Sequence, residues 1–153
     1  VMLAHKAMVE GKVAAEVIAG RAAAFDVRAI PAVVYTDPQI AWAGLGEDEA
    51  RRQGRAVAVE AFPWKYAGRA LTTGAPTGLT KMVVEAGTRR VIGMGIAGRG
   101  AENLIAEGVL AIEMGALAED VALSVHAHPT LAETEGETAE IFLGAATHIL
   151  PRK

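Results

Sequence analysis

The spacing of apolar residues predicts a helix at the start of the chain. Between about residues 3 and 19 a valine recurs at every fourth position, which is the spacing of one helix face. Gly20 follows directly, and glycine is common just after a helix end. A linker then runs to Ile30 and Pro31, where a different pattern begins.

The middle of the chain carries the short apolar runs of β-strands, separated by turn-forming residues. Residues 80–85 and 90–96 are predicted to form two strands, joined by a hairpin-length loop that contains Gly87. Trp42 and Trp64 in this region are expected to anchor a core. The same patterns predict strands over residues 32–35, 40–45 and 56–62, and a short polar helix over residues 47–53.

Helical patterns return in the last third of the chain. Residues 102–114 carry apolar side chains around most of a predicted helix, which indicates burial on all sides. A short β-rich run is predicted over residues 121–125, and a final helix from about residue 130 to residue 143. Helices before and after hairpin-connected strands predict an α+β fold, in which helices flank an antiparallel sheet of about five strands.

Composition narrows the classes of function. The chain has 153 residues, which fits one domain with a short extra segment, and 52% of them are hydrophobic, enough to bury a core. The net charge of −3 argues against a nucleic-acid surface, which needs clustered Lys and Arg. No apolar run reaches the roughly 20 residues that a membrane span requires. We therefore expect no nucleic-acid partner and no membrane partner.

The chain contains no cysteine, so disulfides, thiolate metal ligands and cysteine nucleophiles are excluded within it. A reducing, cytoplasmic setting is compatible with that composition. The sequence opens at Val1, without an initiator methionine and in the middle of a helical pattern. We interpret it as part of a longer protein.

The segment from His126 to Glu133 carries the most specific chemistry. Its sequence, His-Ala-His-Pro-Thr-Leu-Ala-Glu, places His128 just before a predicted helix and Glu133 in the first turn of that helix. A carboxylate bound to one ring nitrogen fixes the tautomer and raises the basicity of the other nitrogen. Histidine titrates near neutral pH, as an acid–base catalyst must. The spacing therefore makes His128, oriented by Glu133, a candidate acid–base dyad.

Two other interpretations of this segment stay open. Thr130 followed three residues later by Glu133 matches a capping box, which serves only to start a helix. Capping and catalysis are compatible, since one carboxylate has two oxygens. His126 and His128 would also point to the same side of an extended segment, as two metal ligands do, but no third ligand is evident nearby.

A glycine pattern offers a different candidate site. Gly93, Gly95 and Gly98 match the G-x-G-x-x-G signature of dinucleotide binding, between a predicted strand and a predicted helix. The acidic Glu119 and Asp120 follow at about 20 residues, but they precede the next β-rich run instead of ending a second strand. We interpret the glycines as a packing feature of the strand, with a nucleotide site as the alternative.

Several segments together resemble the flavin-linked disulfide oxidoreductases, and among them the dihydrolipoamide dehydrogenase family. The resemblance implies that residues 1–27 are the end of an FAD-binding domain with its linker, and that residues 28–153 are an interface domain for dimerisation. It runs in register over nearly the whole chain. The matching segments are residues 2–7, 35–44, 62–64, 68–70, 111–115 and 126–133.

The resemblance also implies roles for individual residues. His128 would be the acid–base residue that deprotonates a dihydrolipoyl thiol in the partner subunit's active site, with Glu133 as its orienting carboxylate. His126 would support the substrate channel. The segment expected to lie against FAD comprises Met2, Leu3, Ala4 and His5.

The implied function is the NAD-dependent oxidation of protein-bound dihydrolipoamide. FAD, NAD and a redox-active cysteine pair would belong to domains outside this chain, so the isolated chain is expected to bind neither cofactor tightly. The implied partners are a second copy in a homodimer, and the lipoyl domain and core acyltransferase of a 2-oxo acid dehydrogenase complex. The alternative is a non-catalytic dimerisation module of another flavin disulfide reductase, such as a glutathione reductase.

Overall fold

A computed structural model describes residues 1–149, in which one five-stranded antiparallel sheet is packed against helices. The strand order is β1-β2-β5-β4-β3, and every neighbouring pair is antiparallel. The predicted fold class is therefore confirmed, and the five strands predicted between residues 32 and 96 are each correct to within one residue at either end. The strands are β1 (Ala32–Val34), β2 (Ile40–Gly44), β3 (Val57–Pro63), β4 (Leu79–Glu85) and β5 (Val91–Ala97).

Six α-helices lie in the described residues. The first, second and fourth agree with the predicted helices to within one residue at each end. The third, and a 3₁₀ turn at Trp64–Tyr66 just before it, were not predicted. The helices are α1 (Ala4–Ile18), α2 (Glu47–Arg52), α3 (Gly68–Thr72), α4 (Ala101–Met114), α5 (Ala118–Leu123) and α6 (Glu133–Leu143).

The β-rich run predicted over residues 121–125 is wrong, because α5 occupies most of it. The backbone N–H of Leu117 donates to the Asp120 carboxylate at 2.7 Å, which satisfies one of the donors that a helix start leaves unpaired. Ala118 and Val121 are buried, and α5 packs against α6. Tertiary packing thus overrides the strand preference of the valines.

The final helix begins at Glu133 instead of Thr130, so its predicted start is also wrong. Only half of the expected capping box forms: the Thr130 backbone N–H donates to Glu133 Oε2 at 2.7 Å. The Thr130 hydroxyl donates to the Ala127 carbonyl at 2.6 Å, so it is turned away from the helix. Residues 130–132 therefore form a turn that leads into α6.

Helix α4 buries one face only, which corrects the prediction of burial on all sides. Ile105, Gly108 and Ile112 lie against the sheet, whereas Leu110 is 62% exposed and Met114 is 75% exposed. The reason is that α4 contacts β2 and β5 on one side of the sheet. No helix within residues 1–149 combines the length and hydropathy needed to cross a bilayer.

A buried polar chain connects the sheet to α6. The Trp64 indole N–H donates to the Thr80 hydroxyl at 2.9 Å, and the hydroxyls of Thr80 and Thr134 are hydrogen-bonded at 2.7 Å. Trp64 is fully buried, as predicted, and this contact fixes the start of α6 relative to β4. Trp42 does not anchor the core: it lies opposite Gly95, on the side of β2 away from the buried Ala41 and Ala43, and is 45% exposed.

Candidate active site

His128 lies in the loop between α5 and α6, and Glu133 is the first residue of α6. The imidazole Nδ1 is 2.8 Å from Glu133 Oε1, the contact on which the predicted dyad depends. The other oxygen of the same carboxylate accepts the Thr130 backbone N–H. One side chain therefore orients the ring and holds the turn that precedes the helix.

The electrostatics of Glu133 fix the tautomer of His128. Partial burial by itself raises the pKa of the Glu133 carboxyl, but the hydrogen bonds from Thr130 and His128, with attraction from His128 and His148, hold it below its usual value. The carboxylate is thus ionised at neutral pH and can only accept hydrogen bonds. Nδ1 of a neutral His128 must carry the hydrogen, which leaves Nε2 as the basic nitrogen.

The His128 ring is open to the outside of the subunit. Its side chain is 74% exposed, and no described residue hydrogen-bonds to Nε2. A cavity of about 270 Å³ lies beside the ring and has an apolar wall. That wall is formed mainly by Phe62, Tyr66, Ala67 and Leu71.

His126 occupies a different environment. Its side chain is only 12% exposed, and Nε2 is 2.8 Å from Glu107 Oε1 on α4. The ring lies so close to α6 that a Cβ on Gly136 would come within 2.8 Å of its Nδ1. The two histidines therefore bind separate carboxylates. Among residues 1–149 there is no cluster of three or more possible ligands for a metal ion.

A second imidazole–carboxylate pair was not predicted. His148 Nδ1 is hydrogen-bonded to Glu137 Oε1, and the His148 backbone N–H donates to Glu137 Oε2 at 3.3 Å. Gly144 ends α6 in the left-handed conformation, and the chain then returns along the helix. The eleven-residue separation of the pair matches no local spacing rule, so the sequence carried no signal for it.

Glu135 is the most unusual carboxyl group near this site. It is fully buried on α6, and neither of its oxygens has a hydrogen-bond partner among the described residues. Burial, with repulsion from Glu107, raises its pKa to about 9. Glu135 is therefore protonated and neutral at pH 7.

The segment predicted to contact FAD forms the start of α1. Met2 is fully exposed, and Leu3 precedes the first helical residue without a side-chain cap. The first backbone N–H groups of the helix are therefore left without partners in the helix. His5 Nε2 is 2.7 Å from the Pro31 carbonyl, which links α1 to the start of β1.

Gly93 and Gly95 lie within β5, which is antiparallel to both of its neighbours, so the pattern does not belong to the parallel β–α–β unit of a dinucleotide site. A Cβ on Gly93 would lie 1.9 Å from the Leu45 carbonyl oxygen, and one on Gly98 would lie 2.2 Å from the Trp64 ring. Gly95 has open space. The packing interpretation holds for Gly93 and Gly98.

Comparison with known sequences identifies a family. The family described as "Pyridine nucleotide-disulphide oxidoreductase, dimerisation domain" matches residues 30–139. A dihydrolipoyl dehydrogenase from Halobacterium salinarum is 52% identical over 99% of the chain, and one from Vibrio parahaemolyticus is 49% identical over 99%. The chain spans 32% of the length of each of these relatives.

Solved structures have the same fold. LpdA from Mycobacterium tuberculosis superposes with a TM-score of 0.87 over 93% of the chain at 23% identity, and the match covers 31% of that protein. The HOCl-induced flavoprotein disulfide reductase RclA from Escherichia coli gives a TM-score of 0.78 over 84% of the chain at 19% identity, covering 30% of that protein. At these identities the likeness supports the fold alone.

Proposed function

This chain belongs to the pyridine nucleotide-disulphide oxidoreductases, as their dimerisation domain, and we propose that it supplies the acid–base group of a dihydrolipoyl dehydrogenase. The observation that carries the proposal is the His128 ring, exposed at Nε2 and held at Nδ1 by the ionised Glu133. The names of the relatives support the reaction. We assign residues 28–153 to the interface domain, and residues 1–27 to the end of the FAD domain and its linker.

In the proposed reaction, His128 Nε2 accepts the proton of a dihydrolipoyl thiol bound in the partner subunit's active site. The resulting thiolate is the nucleophile for the redox-active disulfide of that subunit. Glu133 stabilises the imidazolium through Nδ1 and keeps the ring from rotating. The dithiol loses two electrons and two protons to become the lipoyl disulfide. FAD and NAD, when bound by the full-length protein, carry those electrons away.

The start of α1 fits a place beside the flavin. The unpaired backbone N–H groups at the start of α1 can donate to an electron-rich edge of the flavin ring. Because Met2 is exposed, it leaves these N–H groups accessible. We assign Met2, Leu3, Ala4 and His5 to this contact. The link from His5 to Pro31 would keep the helix end at a fixed distance from the interface domain.

His126 acts as a support in this proposal. Its contacts with Glu107 and Gly136 hold the loop that carries His128, two residues further on. The ring would thus steady one side of the substrate channel without touching the reacting thiol. The proposed assembly is a homodimer that receives lipoyl domains from the acyltransferase core of a 2-oxo acid dehydrogenase complex, in the cytoplasm.

The proposed function is tested by His128→Gln in the full-length protein. We expect dihydrolipoamide turnover to fall by roughly 10²- to 10⁴-fold, the usual contribution of a positioned acid–base group. Flavin absorbance is the folding control. NADH-dependent reduction of an artificial electron acceptor needs no thiol proton and should keep its rate. Near-normal turnover with dihydrolipoamide, or a preference for glutathione disulfide as substrate, would contradict the proposal.

A further inference from the structure

The two imidazole–carboxylate pairs on α6 are built alike. In each pair one carboxylate oxygen contacts an imidazole Nδ1, and the other accepts a backbone N–H. Glu133 and Glu137 lie four residues apart on α6, which places them one above the other on the same face. The His148 pair is therefore a neighbour of the dyad, one helical turn away.

Both rings border the same cavity of about 270 Å³. His148 is 53% exposed, and no described residue hydrogen-bonds to its Nε2, which is also the situation of His128. Glu133 and Glu137 line the same cavity as the two rings. The two pairs thus border one partly screened space, across which a charge on either ring would act on the other.

The charged and titratable groups near His148 lie on α6 and in the lining of the cavity. The hydrogen bonds from Thr130 and His128 are the main causes that hold the pKa of Glu133 below its usual value, and attraction from His148 adds a smaller effect in the same direction. On α6, burial and repulsion from Glu137 raise the pKa of Glu140, and His148 opposes that rise. The cavity lining also includes Tyr66, whose ring centre is 4.9 Å from the Lys65 ammonium.

We infer that His148, held by Glu137, is a positioning residue of the dyad: across the shared cavity, a protonated His148 favours the carboxylate form of Glu133 and disfavours a second positive charge on His128. This inference rests on the proposed function, because it concerns the ability of the same dyad to accept a thiol proton. Glu137 sets the strength of the effect, since its negative charge partly cancels that of His148. The pair therefore adjusts the pH at which the dyad begins to work.

Two substitutions should move the pH profile in opposite directions. On the acid side of the pH profile, turnover is expected to rise with pH as His128 loses its proton, and the pH of half-maximal turnover is the acid-side midpoint. His148→Gln leaves the Glu137 charge alone beside the dyad, so protonation of His128 becomes easier and the acid-side midpoint should rise. Glu137→Gln leaves the His148 charge uncompensated, so the midpoint should fall. Each shift should be a few tenths of a pH unit, the order of magnitude expected for one partly screened charge.

The experiment measures dihydrolipoamide turnover against pH for the full-length protein and its variants. His148→Lys keeps a positive charge, so its midpoint should lie at or below that of the wild type. Arg52→Gln removes one charge from the exposed Glu49 pair on α2 and should leave the midpoint in place. Flavin content checks that each variant is folded.

The expected order of midpoints is Glu137→Gln lowest, wild type and His148→Lys next, and His148→Gln highest. A purely structural role of the pair would lower turnover in both glutamine variants without opposite shifts, and that result overturns the inference. Unchanged midpoints overturn it as well. If His128→Gln keeps its turnover, the proposed function itself fails; if His128→Gln is inactive and only the order is wrong, the inference alone fails.

Discussion

At the scale of single residues, Glu133 combines two roles that the sequence left as alternatives. Its Oε2 accepts the Thr130 backbone N–H, as in a capping box, and its Oε1 holds His128 Nδ1. The local spacing was enough to predict both contacts, because they join residues three and five positions apart. It could not predict that the Thr130 hydroxyl turns away to Ala127.

The buried Glu135 carboxyl should make the free energy of unfolding depend on pH. Its pKa is about 9 in the folded protein and near 4.5 when exposed, so the folded state keeps a proton that the unfolded state releases. The contribution of Glu135 to the free energy of unfolding is intact below about pH 4.5. It is lost as the pH rises towards 9, by up to about 1.4 kcal/mol for each pH unit. Glu135→Gln should remove this loss and make the protein more stable at pH 8.

Chemical denaturation at pH 5 and at pH 8 measures this effect. The increase in the free energy of unfolding from Glu135→Gln should be larger at pH 8 than at pH 5. The reason is that only at high pH does loss of the carboxyl proton favour the unfolded state. Glu16→Gln, at an exposed position of α1, is the matched control and should change neither value. An equal effect of Glu135→Gln at both pH values would show that Glu135 is not a buried neutral acid.

At the scale of elements, two glycines of β5 provide a matched pair of tests. A methyl group on Gly93 would collide with the Leu45 carbonyl, a backbone atom that cannot move aside cheaply. Gly93→Ala should therefore destabilise the protein by roughly 1–3 kcal/mol, the usual cost of overpacking. Gly95→Ala, two residues further along the same face, meets open space and should be nearly neutral. Equal losses in urea denaturation would contradict this account.

Most elements could be predicted from the sequence because the spacing of their apolar residues was clear. Every strand agrees to within one residue, since alternating apolar positions and turn residues mark the ends. The predictions failed where tertiary packing, and not the local sequence pattern, determines the structure. Helix α5 forms in a valine-containing segment because Asp120 caps it and α6 covers it. Trp42 is exposed because it alternates along β2 with the buried Ala41 and Ala43 and so lies on the other side of the strand.

At the scale of the whole molecule, the candidate site is assembled from distant segments. The dyad is local and could be predicted, but Glu107 reaches His126 from α4, and His148 reaches Glu137 only after the chain reverses at Gly144. No spacing rule covers such contacts. They depend on how α4, α6 and the following segment pack together.

The central claim is that His128 serves the active site of the partner subunit. The base and the redox-active cysteines that form one active site would then lie on different subunits of the dimer. This arrangement can be separated from a base acting within its own subunit by combining two inactive subunits in one dimer.

The most direct measurement is the turnover of a hybrid dimer, purified with two different affinity tags. One full-length subunit carries His128→Gln, and the other carries alanine in place of its redox-active cysteines. Each variant is inactive as a homodimer. The account predicts about half of the wild-type turnover for the hybrid, because one site then combines intact cysteines with the partner's intact His128. An inactive hybrid, with its flavin still bound, would contradict it.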